Sequence, residues 1–298
     1  MANTREIRRR IRSVESTAKI TNALQLVAAS KMRRAQERAL AARPYAERMR
    51  HALADLANTG ESDDADGGAL HALLERREVR ETTVILISPD RGLAGGLISN
   101  LQRHAGEIAL NPERSGDVSM MPVGRKGLEY FHRFGLNYRA EFQNLGDYPT
   151  LAETRPISTV AVQDYLAGDV DQVLLVYASF VSTVNQKPTT IQVLPVEPPQ
   201  AEGEPGSNGA AREIDYIFEP SPQEVLDELL PRYVEMQIYQ AILEAAASEQ
   251  SARMVAMRSA TDAANDMIED LTLDYNKARQ NQITNELLDI VGGVEALS

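Results

Sequence analysis

The sequence predicts an α/β protein in which a long antiparallel coiled coil of the N- and C-terminal helices carries an inserted, small doubly wound (Rossmann-like) α/β domain. Three observations predict it. Between Pro231 and Val291 there is neither glycine nor proline, and from the start to Asn58 there is no glycine and only Pro44. Both stretches repeat apolar or small residues at helical spacing, whereas the segment between them alternates short β-branched runs with helical ones. The two ends also carry opposite charge. Residues 1–50 hold thirteen Arg or Lys against four acids, and residues 221–298 hold five against fourteen.

Asn3 and Glu6 offer a weak start to the first helix. Ile7, Ile11, Val14 and Ala18 then step at the three-four spacing of a coiled-coil seam. The stripe is expected to drift on through Ala23, Val27, Met32 and Ala35, with the small run Ala28-Ala29-Ser30 letting two backbones come close. Glu61 to Gly68 reads as an acidic loop. Thr82 to Ser88 is almost wholly apolar and β-branched, as expected of a buried parallel strand. A glycine-rich turn leads from it into a helix through about Ala109. Further strands are expected at Val118–Val123, Tyr138–Phe142, Gln172–Phe180 and Thr189–Leu194, and helices at Gly127–Phe134 and Ile157–Leu166. Strands alternating with helices point to a doubly wound sheet. Pro198 to Ala211 reads as a flexible linker.

The last stretch opens on Ser221-Pro222-Gln223-Glu224, a capping box that satisfies otherwise unpartnered N–H groups. Pro231 is expected to end or kink that first short helix. A helix from there to Val291 would be ~90 Å long at 1.5 Å per residue, too long for one compact core. Its seam reads Val234, Ile238, Ile242, Ala245, Met257, Ala260, Ala264, Met267 and Leu271, and Gly292-Gly293 is expected to stop it. An exposed ion pair is worth on the order of 0–1 kcal/mol, so the seam holds the two ends together and charge selects the pairing. The expected domains are therefore a shaft of residues 1–60 and 213–298, an inserted body of 76–197 and a flexible loop of 198–212.

The net charge of −12 argues against wholesale nucleic-acid binding. Without cysteine there can be no disulfide, thiolate metal site or cysteine nucleophile. The N-terminus is charged from Arg5 onward and lacks an apolar leader region, and apolar runs such as Val173 to Val176 are far short of a membrane span. A soluble or peripheral protein is expected.

Gly92, Gly95 and Gly96 fit neither a dinucleotide fingerprint nor a P-loop, so a structural turn is favoured over a phosphate cradle. His51, His71, His104 and His132 are scattered without metal-ligand spacing, and no catalytic set can be assembled. Arg5, Arg8, Arg9 and Arg12 share one side of a helix, and Lys31, Arg33, Arg34 and Arg38 form a second basic cluster. Either is a solvated face or a binding edge for an acidic protein, with DNA a third choice. If the pair is flush at the body, the second helix outruns the first by roughly two turns. Its overhang carries Ile283, Leu287, Leu288, Ile290, Val291 and Val294, an apolar tip that suits a site on another protein.

Four stretches carry a resemblance: IRRRIRSVESTAKITNALQLVAASKMRRAQ, DRGLAGGL, ASEQSARMVAMRSATDAA and YNKARQNQITNELLDIVGG. Together they resemble the gamma subunit of F-type ATP synthases over nearly the whole chain. The resemblance implies a non-catalytic central shaft, without cofactor or metal, turning inside a ring of alpha and beta subunits. Its foot would rest on the membrane rotor ring of c subunits beside the epsilon subunit, at the cytoplasmic face of the bacterial membrane. No nucleic acid and no direct nucleotide binding is expected. By the same resemblance Arg279 and Gln280 would bond a catch loop on beta. Lys19 and Leu24, with the basic face of Arg8 and Arg9, would meet beta's acidic lever segment. Ile283, Leu287, Ile290 and Val291 would form a bearing tip, and Tyr216, Phe218 and Glu219 would rest on the ring. Phe218 replaces a tyrosine of some relatives, Ala94 stands where many have cysteine, and Val294 replaces a small residue. The cysteine-bearing insert of the chloroplast type is missing. Two rival readings remain open: a nucleotide-binding α/β enzyme, and a coiled-coil adaptor for nucleic acid.

Overall fold

The computed structural model describes residues 4–60, 71–111, 116–197 and 222–295. The chain divides into two compact units, Met1–Ser30 with Arg253–Ser298, and Lys31–Ala252. Two long helices contribute to both: α1, Thr4–Gly60, and α5, Pro222–Glu295. Pro44 lies inside α1 and Pro231 inside α5, and neither proline ends its helix, although Pro231 is expected to end or kink one. A proline in a helix costs about 3 kcal/mol. The buried residues that flank them, Met49 and Leu53 in α1 and Leu226, Leu230 and Val234 in α5, supply packing against that loss. Gly292 and Gly293 likewise fall inside the last turns of α5. Glycine in a helix costs only about 1 kcal/mol relative to alanine, so it weakens a helix without forbidding it. The acidic loop, the linker and the serine of the expected capping box lie outside the described residues.

The larger unit is built on five strands: β1 Glu81–Ile87, β2 Asp117–Val123, β3 Asn137–Tyr138, β4 Gln172–Phe180 and β5 Gln186–Leu194. Their order is β3-β2-β1-β4-β5. β1 is parallel to both β2 and β4, β2 is parallel to β3, and β5 runs antiparallel to β4. The third strand is shorter than expected, and its continuation survives as one parallel bridge between Val123 and Phe142. Successive side chains of a strand point to opposite faces, and here both faces are covered. Ile85, Ile87, Met121, Val123, Val173 and Leu175 pack with α1, α5 and α4, Leu151–Ala167. Val84, Leu86, Met120 and Val176 pack with α2, Leu97–Ala109, and with Phe131 of α3, Arg125–Phe131. A sheet buried on both sides explains why β1 reads as a continuous apolar run rather than an alternation.

α4 begins six residues earlier than expected. Thr150 and Glu153 form a capping box there, the Thr150 N–H donating to Glu153 Oε2 at 2.7 Å. Pro156 lies inside the helix. It disguises the true start, because a proline reads as a boundary.

Candidate functional site

In the smaller unit the protected positions of α1 include Ile7, Ile11, Val14, Ala18, Thr21, Gln25 and Ala28, an unbroken three-four repeat. Of the expected continuation Met32 and Ala35 are protected but Ala23 and Val27 are not. Ala23 is exposed and Val27 is 50% exposed, because Thr21 and Gln25 occupy the seam there. On α5 the repeat runs Met257, Thr261, Ala264, Ile268, Leu271, Tyr275 and Ala278, with Met267 turned outward. Polar contacts fix the antiparallel sense. The Thr4 hydroxyl donates to Gln282 Oε1, Arg8 donates to the Tyr275 hydroxyl, and the hydroxyls of Thr21 and Thr261 meet at 2.7 Å. Position numbers rise on one helix as they fall on the other. These contacts join a cation to a phenol and hydroxyls to an amide or a hydroxyl, so the opposite helix charges act as a diffuse field rather than through these bonds.

The basic start of α1 is exposed from Arg8 to Arg10 and at Arg12. Arg8 leans on the neighbouring helix, its guanidinium 5.2 Å from the Tyr275 ring centre. Arg9 and Lys19 are exposed and Leu24 is half-buried. Beside them Ile20, Leu26 and Val27 are each at least half exposed, an apolar band that the sequence reading missed by placing Val27 in the seam. The strict heptad counted on from Ile7 was the signal that could have found it. The second basic cluster is engaged within the larger unit. Lys31 meets Asp147 at 2.7 Å, Arg33 pairs with Glu37, and Arg38 stacks 4.7 Å from the Tyr148 ring centre.

At the far end of α5 every side chain described from Arg279 to Val291 is exposed. Arg279 and Gln280 lie at its start. Ile283, Leu287, Leu288, Ile290 and Val291 follow, each roughly half exposed or more. With Thr4 beside Gln282, α5 continues for ~20 Å beyond that contact, between three and four turns rather than two. Large apolar side chains crowded on one exposed helix end mark a surface that another protein covers.

The glycine turn serves the larger unit. Gly95 (φ 57°) and also Leu93 (φ 63°) take left-handed conformations, while Gly92 and Gly96 do not. Asp90 pins the turn, its carboxylate accepting the N–H groups of Arg125 at 2.9 Å and Asn144 at 3.2 Å. A carboxylate held there disfavours a phosphate. The crevice outside the carboxyl ends of β1 and β2, where doubly wound sheets take ligands, is lined on one side by Ile242, Ala245, Ala246 and Glu249 of α5. Only about 70 Å³ remains, against roughly 300–1,000 Å³ for small-molecule pockets. Two histidines have local partners: His71 Nδ1 accepts the Leu73 N–H, and His104 Nε2 bonds the Thr190 hydroxyl. Among the described residues no group of three or more His, Asp or Glu is placed to hold a metal ion. Tyr216, Phe218 and Glu219 lie outside the described residues.

A paired-helix protein with an exposed apolar end is suited to contact with other proteins. The model of the family described as ATP synthase matches residues 3–297. The chain is 52% identical over 298 residues to the ATP synthase gamma chain of Dehalococcoides mccartyi, covering all of both chains. It is 48% identical to that of Roseiflexus sp., covering all of this chain and 99% of the relative. Its fold is similar to chains in two solved structures of the Euglena gracilis mitochondrial ATP synthase. One, of OSCP/F1/c-ring in rotational state 3, gives a TM-score of 0.64 at 18% identity, covering 99% of this chain and 94% of that one. The other, of the rotor, gives 0.61 at 17%, covering 94% and 98%. The chain belongs to the family of ATP synthase gamma chains.

Proposed function

We propose that this chain is the central rotor shaft of an F-type ATP synthase, passing torque between an ion-driven membrane ring and the catalytic alpha and beta subunits. The observation that carries this reading is identity of about one half to gamma chains over the whole length of both sequences. The chain is a non-catalytic part of that complex; bond making and breaking belong to its partners.

Residues 1–60 and 213–298 are the shaft, 76–197 the inserted body and 198–212 the loop between. Arg279 and Gln280 bond the catch loop of beta. Arg8, Arg9, Lys19 and Leu24 face beta's acidic lever, and the exposure of Arg8, Arg9 and Lys19, with the adjoining apolar band, supports that assignment. Ile283, Leu287, Ile290 and Val291 turn as a bearing inside the alpha–beta ring, where nondirectional apolar contacts resist rotation less than fixed ion pairs would. Tyr216, Phe218 and Glu219 rest on the c-subunit ring beside epsilon. The chain is peripheral, at the cytoplasmic face of a bacterial membrane. Among the described residues no helix is long and apolar enough to cross a membrane. Gly92, Gly95 and Gly96 are a structural turn.

Co-expression with alpha and beta tests the reading. A stable complex with steady ATP hydrolysis is expected only when this chain is present. Equal hydrolysis without it, or a chain that never co-purifies, would contradict the assignment.

A further inference from the structure

The body grips α5 by more than apolar packing. From Leu226 to Ile242 the helix packs into the core through aliphatic side chains and the Tyr233 ring. Beyond them polar side chains join Leu243, Ala247 and Ala252 on its protected face. Glu244, Ser248 and Ser251 stand at i, i+4 and i+7, one above another on one side of the helix. Glu244 Oε1 accepts the Ser179 hydroxyl at 2.8 Å and the Phe180 N–H at 3.0 Å, at the very end of β4. Two turns on, the Ser251 hydroxyl donates to the Thr183 carbonyl in the β4–β5 connection at 2.7 Å and accepts from Nε2 of Gln186, the first residue of β5, at 3.4 Å. Ser248, between them, is wholly buried, and its hydroxyl has no hydrogen-bond partner among the described residues.

Burying such a run is unfavourable unless its hydrogen bonds are made, and aliphatic side chains would fill the same space without that cost. What they would not supply is direction. An apolar contact survives small rotation of a helix about its axis, whereas a hydrogen bond weakens steeply as its angle closes. One carboxylate oxygen holding two donors is the stronger of the two grips, because charge-assisted bonds are shorter and stronger than neutral ones.

We propose that Glu244 and Ser251 are positioning residues that lock the β4–β5 hairpin to α5 and fix the rotational setting of the helix in the α/β body. Torque delivered to the body then reaches the helix without slip. This rests on the shaft reading.

The test uses the assembled complex in lipid vesicles, comparing ATP hydrolysis with ATP-driven ion transport reported by a membrane-potential dye. Glu244→Ala is expected to keep hydrolysis within twofold and to lower ions moved per ATP at least threefold. Glu244→Gln, which retains an acceptor oxygen, restores the ratio. Ser251→Ala should lower it by a smaller factor, and it decides the matter if Glu244→Ala fails to assemble. An unchanged ratio in the alanine variants overturns the proposal, as does a proportional fall of both activities, which would mean a folding role alone. So does failure of Glu244→Gln to restore the ratio lost in Glu244→Ala. Absence of ATP-driven transport with the unaltered chain would instead sink the shaft reading itself.

Discussion

At Gly124 the backbone stands at φ 105°, and a Cβ there would lie 1.8 Å from the Ser88 carbonyl oxygen. At Gly92 an added Cβ would meet nothing within 4 Å, and φ is outside the left-handed range. Gly124→Ala is therefore expected to lower stability by more than about 3 kcal/mol. Gly92→Ala should be neutral or stabilising by up to about 1 kcal/mol, and urea denaturation of both variants checks the contrast. The sequence drew attention to the wrong glycines. Gly92, Gly95 and Gly96 cluster visibly, whereas the need for Gly124 arises only when parallel β1 and β2 bring Ser88 against it. A second residue-scale prediction concerns Tyr177, whose phenol burial, and then the Glu244 carboxylate, push up to about 12. Between pH 10 and 12 the unfolded chain loses this proton while the folded chain keeps it, so stability falls as pH rises. Two pH units correspond to ~2–3 kcal/mol. Tyr177→Phe should flatten the alkaline fall in the urea midpoint, leaving the smaller slopes of Tyr165 and Tyr233, whose phenols burial also raises. The third is Arg279→Ala. That side chain is exposed, so the variant should keep its thermal unfolding temperature while ATP turnover of the assembled complex falls several-fold. Turnover equal to that of the unaltered complex would remove Arg279 from the proposed catch.

Among the elements, the helix pair was the most legible, because a heptad is written in the order of residues alone. Its errors are instructive. Val27 and Met267 are large and apolar and so read as seam residues, yet the repeat places Thr21, Gln25 and Ile268 there. Counting phase from Ile7 outperforms following hydrophobicity, since a face reserved for a partner is also apolar. This sets a prediction. Ile7→Ala, at a position only 6% exposed, should cost about 2 kcal/mol and speed amide exchange through the first turns of α1. Val27→Ala should stay within about 0.5 kcal/mol of the unaltered chain. Equal effects of the two would contradict the seam's phase. Prolines were the other source of error. Pro231 reads as an end or kink and Pro156 hides the start of α4, yet both lie inside helices, as does Pro44, because tertiary packing of the flanking turns outweighs the missing hydrogen bond.

On the scale of the whole molecule, the α/β sheet was legible in strand order of appearance but not in its consequence. Periodicity marks β1, β2, β4 and β5; it says nothing of a helix far later in the chain closing the crevice at the carboxyl ends of β1 and β2. That closure by Ile242, Ala245 and Ala246 turns a ligand-binding architecture into a mount for a shaft. The tip and the basic start could be named as surfaces from sequence, but the use of each depends on partners. Rotation is the claim on which the rest depends, and the absence of native cysteine makes it directly measurable. A single label at Arg133→Cys, an exposed position on the body, can be followed by single-molecule microscopy in the immobilised alpha–beta complex during ATP hydrolysis. The account predicts continued rotation in one direction that stops when ATP is exhausted. Sustained hydrolysis with a stationary label would contradict it.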